Sequence, residues 1–144
     1  MFILKIQMSC KHIPYLPILK ANTTINIPAN KPISNISYKS VLGDLISSFN
    51  PNNGKLFIPF PGLYEFSVSV TFEKEGNNYV KIIKPQQTSG LYGSILITFT
   101  NLSILCQDST VWLEIYSTND NIATIEFIVV RLSYIDRMLF CLPY

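Results

Sequence analysis

The chain has 144 residues, of which 48% are hydrophobic and only 14% charged, with a net charge of +2. Its basic residues are scattered from Lys5 to Arg137 without a basic stripe or interleaved exposed aromatics, which leaves nucleic-acid binding without support. No run of about 18 uninterrupted apolar residues exists, so a spanning helix is not expected; a one-domain chain this apolar is expected to hide surface against copies of itself.

Residues 1–35 carry Pro14, Pro17, Pro28 and Pro32 between short apolar stretches. Prolines at this density forbid a helix and confine strands to an edge, so an extended arm with one or two short strands is predicted. Lys5, Lys11 and His12 interrupt its apolar start, which does not read as a signal peptide. The Asn-x-Ser/Thr triplets at Asn22, Asn35 and Asn101 are accordingly weak evidence of glycosylation. Beyond the arm, strands are predicted at residues 36–42, 55–60, 63–72, 79–83, 94–105, 110–116 and 124–134. Turn signals separate them at residues 50–54, 75–78, 89–90, 107–109 and 117–121. Only residues 41–49 could be helical, and Gly43 weakens that.

The clearest element is the strand over residues 63–72. Tyr64, Phe66, Val68, Val70 and Phe72 alternate with Glu65, Ser67, Ser69, Thr71 and Glu73. A period of two means one dry face and one wet face. Before it, Pro61 fixes φ and Gly62 can take the positive φ of a type II turn, re-aiming the chain so that Tyr64 and Phe66 enter the core. In the last strand Ile125, Phe127 and Val129 alternate with Ile128, Val130 and Leu132, so both faces are apolar. Such a strand lies between layers or at a subunit interface. Short strands with turns about every ten residues describe an antiparallel all-β sandwich or jelly roll.

Three segments carry a family resemblance. The first is Asn50, Pro51, Asn52, Asn53 and Gly54, followed by Ile58-Pro59 and Pro61-Gly62-Leu63-Tyr64-Glu65-Phe66. The second is Val111-Trp112-Leu113-Glu114-Ile115-Tyr116. The third is the loop and strand of residues 119–132 with Phe127. Their order resembles the C1q-like branch of the C1q/tumour-necrosis-factor superfamily. The resemblance implies a jelly roll over residues 36–136, with residues 1–35 as arm and 137–144 as an apolar tail, and assembly into a homotrimer. It assigns Gly54, Pro61, Gly62, Tyr64, Phe66, Trp112 and Phe127 to corner and core.

Catalysis has little to work with. His12 is the only histidine, and no Ser-His-Asp set, HExxH or G-x-S-x-G occurs. Cys10, Cys106 and Cys141 fit no zinc or C-x-x-C spacing; they read as free thiols, with a pair inside the chain or between subunits as the alternative. No cofactor is expected except, weakly, calcium. The resemblance implies acidic loop residues near a three-fold axis, where Asp120 with Asn119 and Asn121 would supply oxygen ligands. Two functional expectations follow. One is a trimeric structural or spike protein that docks on other structural proteins of a larger assembly, such as a virion, through apolar termini. The other is an extracellular trimer that binds a receptor or glycan through apex loops containing Glu75, Asn77, Asn78, Gln86, Gln87, Tyr92 and Asn119.

Overall fold

A computed structural model of the chain describes residues 18–134 except residue 86. The expected tail and the first part of the expected arm, with His12, Cys10 and Cys141, lie outside the described residues. Ten strands form two five-stranded sheets with every strand pair antiparallel. The first sheet has the order β2 (Ser40–Gly43), β1 (Ile18–Ile27), β10 (Asn121–Tyr134), β5 (Gly62–Phe72) and β8 (Leu96–Leu105). The second has β3 (Phe49–Asn50), β4 (Lys55–Phe57), β9 (Thr110–Tyr116), β6 (Asn78–Ile83) and β7 (Ser89–Gly93). A short 3-10 turn at Ile46–Ser48 takes the place of the one stretch that could have been helical.

The alternating strand behaves as its pattern requires. In β5 Tyr64, Phe66, Val68, Val70 and Phe72 are all buried, facing the second sheet. β10 pairs along it with Phe127 opposite Val68 and Val129 opposite Phe66. The Phe66 and Phe127 rings lie nearly parallel with centroids 6.1 Å apart. The second sheet contributes Leu56, Val80, Ile82, Val111, Leu113 and Ile115. Each such side chain contributes about 1.5–3 kcal/mol by leaving water.

Four expectations are corrected here. The predicted edge strand of the Pro-rich arm is instead β1, which lies between β2 and β10 and pairs with both. Prolines flank it but none lies within Ile18–Ile27, so every N–H is available for the two ladders. Gly62 does not have a positive φ; among glycines that conformation belongs to Gly54, at 74°, and Gly43, at 117°. Gly54 closes the Asn-rich turn by donating its N–H to the Asn50 carbonyl at 2.8 Å. Gly62 is required by space, because a Cβ there would sit 2.2 Å from the Ser133 carbonyl oxygen of β10. Trp112 is not in the core: it is half-buried on the outer face of β9, with the Lys55 ammonium 5.1 Å from its ring centroid. The fourth correction concerns Cys106, which is disulfide-bonded and therefore not a free thiol. Among the described residues no helix is long and apolar enough to cross a membrane.

Gly62→Ala is expected to lower stability by about 1–3 kcal/mol through backbone overpacking, visible as a lower urea midpoint. Pro61→Ala, which leaves the β5–β10 approach intact, is expected to cost less in the same titration.

Candidate functional site

Strand direction divides the sandwich into two ends of different chemistry. At the first end β1 begins, β10 finishes and β5 begins, since Ile18 pairs with Val130 and Gly62 pairs with both Tyr134 and Leu105. At the second end Ile27 pairs with Asn121, and the loops of residues 73–77 and 117–120 come together.

The second end is a knot of asparagines. Asn121 is buried and its amide is fully used. Its Oδ1 accepts the N–H of Lys74 and of Ile122, each at 2.9 Å, and its Nδ2 donates to the Lys74 carbonyl at 2.9 Å and to Ser117 Oγ at 3.1 Å. Asn119 donates Nδ2 to the Glu75 carbonyl at 2.6 Å, and the Asn77 N–H donates to Thr118 Oγ1 at 3.1 Å. Asp120 accepts the Ala29 N–H at 2.8 Å, tying the end of β1 to the same knot. Asn78 is buried and donates Nδ2 to the Ser94 carbonyl, holding the 73–77 loop against the start of β8. A shallow cleft is thereby framed by Glu75, Asn77, Asn78, Tyr92 and Ser94. Tyr92, 71% exposed, forms its aromatic wall and meets the Tyr79 ring edge-on at 5.4 Å. Tyr79 in turn stacks on Tyr116 at 5.0 Å and donates its hydroxyl to Glu114 Oε2 at 2.8 Å. Desolvation, with the neighbouring Glu114 carboxylate adding to it, pushes the Tyr79 phenol up to about 12.

The structure brings together Glu75, Asn77, Asn78, Tyr92, Asn119, Asp120 and Asn121 at this end. Gln87 does not join them. β6 runs away from this end, so the loop after Ile83 lies at the opposite one, beside Leu105 and Ser109. Gln86 lies outside the described residues. For calcium, the described residues hold no group of three or more His, Cys, Asp or Glu side chains that could ligate one ion. The Asn121 side-chain oxygen is already committed to two N–H donors.

The first end carries a group of exposed apolar side chains among polar ones. Phe57 and Phe60 are 52% and 51% exposed, and Ile104, Leu132 and Ile46 are also open. The Arg131 guanidinium lies 5.2 Å from the Phe60 ring centroid. Tyr64 caps the corner by donating its hydroxyl to the Phe60 carbonyl at 2.7 Å. This apolar edge was missed by sequence reasoning. The signal available was Phe57, out of phase with the buried Leu56 and Ile58, together with Phe60 between Pro59 and Pro61.

The described residues form a two-sheet β sandwich with hydrogen-bonded loops at one end and exposed apolar side chains at the other. A profile of the C1q domain matches residues 19–128, and the chain belongs to the C1q-domain family. The structure is similar to the globular domain of a zebrafish complement 1qA protein, at TM-score 0.64 and 16% identity over 83% of this chain and 99% of that one. It is similar to vertex protein P5 of PRD1, at TM-score 0.63 and 12% identity over 81% of this chain and 97% of that one. It also resembles bushbaby GITRL, at TM-score 0.55 and 14% identity over 86% of this chain and all of that one. These likenesses establish a C1q/TNF-like jelly roll. No curated protein matches the sequence.

Asn121→Ala is expected to cost about 1–3 kcal/mol, since it strands the Lys74 N–H and carbonyl. Hydrogen exchange at Lys74 and Ile122 should accelerate with it. In an ultraviolet titration of the tyrosines, Glu114→Gln should move the Tyr79 midpoint from about 12 part of the way toward the ordinary 10.0. Because the folded value is raised, the stability linked to Tyr79 is intact below pH 10 and declines as pH rises toward about 12.

Proposed function

We propose that this chain is a non-enzymatic, homotrimeric jelly-roll protein that serves as a structural or surface component of a larger particle, such as a virion. The observation that carries the reading is the segregation of the two ends. The strand ends that lead to the chain termini share one end with exposed Phe57, Phe60 and Ile104, while the asparagine knot occupies the other. Apolar surface gathered at the strand ends of β1 and β10 suits a base that docks on other structural proteins, leaving the end with the asparagine knot outermost. The likeness to a vertex protein supports the same reading at the level of fold. An oxidised Cys106 suits a protein displayed to an oxidising exterior.

Trimer formation draws on a second surface. The outer face of the first sheet carries Ile128 and Val130 on β10, flanked by Ile18 on β1, with Leu102 on β8 in the same row as Val130 and Glu65 of β5 between them. Leu102 is 56% exposed, and burial against neighbouring copies would remove this apolar surface from water.

The second reading, a trimer recognising a receptor or glycan, is favoured by exposed Tyr92 beside Glu75 and Asn77 in the polar cleft. An aromatic face with flanking amide and carboxylate groups is suited to a sugar ring, and three copies would add avidity. Co-purification of the native chain with particles supports the first reading; a glycan-array signal lost in Tyr92→Ala, with no particle association, supports the second.

The two surfaces of the first reading are separable. Phe57→Glu with Phe60→Glu should leave a trimer in analytical ultracentrifugation that no longer enters the particle. Val130→Glu should instead shift sedimentation toward monomer. Normal incorporation of the double variant would overturn the docking base.

A further inference from the structure

The chain carries Asn-x-Ser/Thr triplets at Asn22, Asn35 and Asn101, and the fold sorts them. Such a triplet can take a glycan on its amide only where an enzyme can close around both the amide and the hydroxyl two residues on. Asn101 fails on both counts. It stands at an inward position of β8, its Nδ2 donates to Ser89 Oγ at 3.0 Å, and its Oδ1 accepts the Ser103 hydroxyl at 2.7 Å. The hydroxyl that recognition needs is the one locking the amide. Asn22 lies inside β1 with a ladder on each side, opposite Ser40 of β2 and Glu126 of β10. Its side chain is half-buried on the outer face of the first sheet, and Thr24 Oγ1, two residues on, shares a hydrogen bond with Thr124 Oγ1 at 3.2 Å.

Asn35 differs in each respect. Asn35 and Ser37 are exposed while Ile36 between them is buried, so the triplet runs out, in, out. Residues 34–37 belong to no strand. The segment is nevertheless held on either side. Ile33 exchanges two backbone hydrogen bonds with Ile115, at 2.8 and 3.0 Å, and the Tyr38 N–H donates to the Pro51 carbonyl at 2.7 Å. Among the described residues neither Asn35 nor Ser37 makes a side-chain hydrogen bond. The amide and its hydroxyl therefore face the same way from a fixed, open stretch of backbone. That stretch runs beside β9 of the second sheet, where Ser34 reaches Glu114, so a glycan there leaves the outer face of the first sheet uncovered.

We propose that Asn35 is this chain's acceptor for an N-linked oligosaccharide, with Ser37 as the recognition hydroxyl and Asn22 and Asn101 left bare. The donor is an oligosaccharide carried on a lipid diphosphate. The bond from the sugar's anomeric carbon to the diphosphate oxygen breaks, and its electron pair leaves with the lipid diphosphate. Asn35 Nδ2 bonds to that carbon and gives one amide proton to a base of the transferring enzyme; nothing is oxidised or reduced. The disulfide at Cys106 is independent support, because glycan transfer to such triplets belongs to secreted proteins and disulfides to the same oxidising route. The site does not depend on the particle reading.

The test is secretion of the full chain behind a cleaved leader from insect cells. The folded product is treated with an amidase in heavy-oxygen water, which turns each occupied Asn into labelled Asp, and mapped by peptide mass spectrometry. The expected result is label at Asn35 and at neither Asn22 nor Asn101. The electrophoretic shift of the glycan should vanish in Asn35→Gln and Ser37→Ala and persist in Ser37→Thr. Melting temperatures of the variants matching that of the deglycosylated parent separate a lost acceptor from a lost fold. Folded secreted protein without label at Asn35, or with label at Asn22 or Asn101, overturns the assignment. A glycan that persists at Asn35 in Ser37→Ala overturns the role of Ser37.

Discussion

The pairing of β5 with β10 is the constraint on which the rest of the structure depends. It is the longest ladder, and its register places Phe66, Val68 and Val70 beside Val129, Phe127 and Ile125 on one face. A slip of one residue would turn all of these outward and bring Glu65, Ser67 and Ser69 into the core, so the burial itself fixes the register. The ladder also locates its neighbours, because β1 pairs along the free edge of β10 and β8 along the free edge of β5. Close packing at the end of the ladder explains Gly62, whose missing side chain lets the Ser133 carbonyl approach.

Once that register is set, the outer face follows by parity. The residues between the core positions of β5 are Glu65, Ser67 and Ser69, an ordinary wetted face. Those of β10 are Glu126, Ile128 and Val130, and Glu126 alone is matched electrostatically, by Lys20 at 3.6 Å. That ion pair is half exposed and worth little to stability. On β10 the outward side chains pass from Thr124 and Glu126 near the knot to Ile128 and Val130 nearer the base, while Glu65 on β5 stands beside Val130 and exposed Leu96 on β8 lies toward the knot.

Much of this was legible in the sequence, and the failures are instructive. The alternation in residues 63–72 and 110–116 reads directly as strand, and the doubled apolar pattern of residues 125–132 falls on β10, whose inner face is buried. β1 was misread because prolines were counted by density, whereas their positions just outside the strand are what matter. Trp112 was placed in the core on the strength of family likeness, although Val111 and Leu113 already claimed the inward positions of β9. Gly62 was expected to supply a turn conformation, and nothing local could show that its real neighbour lies some seventy positions away. The grouping of candidate loops failed at Gln87 for a related reason. Whether two loops share an end depends on how many strands separate them, and the loop after β6 lies one strand beyond the 73–77 loop.

The distribution of polar residues then separates maintenance of the fold from function. Asn78, Asn119 and Asn121 are polar at a loop-rich end, and their amide N–H groups donate to backbone carbonyls, so they hold loops in place. Asn101 and Ser103 are the reverse case. They occupy inward strand positions, where apolar side chains would bury more area, and their hydrogen bonds run in sequence toward one ammonium rather than closing on the backbone. A buried amide that closes on local backbone is explained by the need to satisfy that backbone. Asn101 and Ser103 instead satisfy one another and Ser89, which lets two half-buried polar residues stand on the inward face of β8.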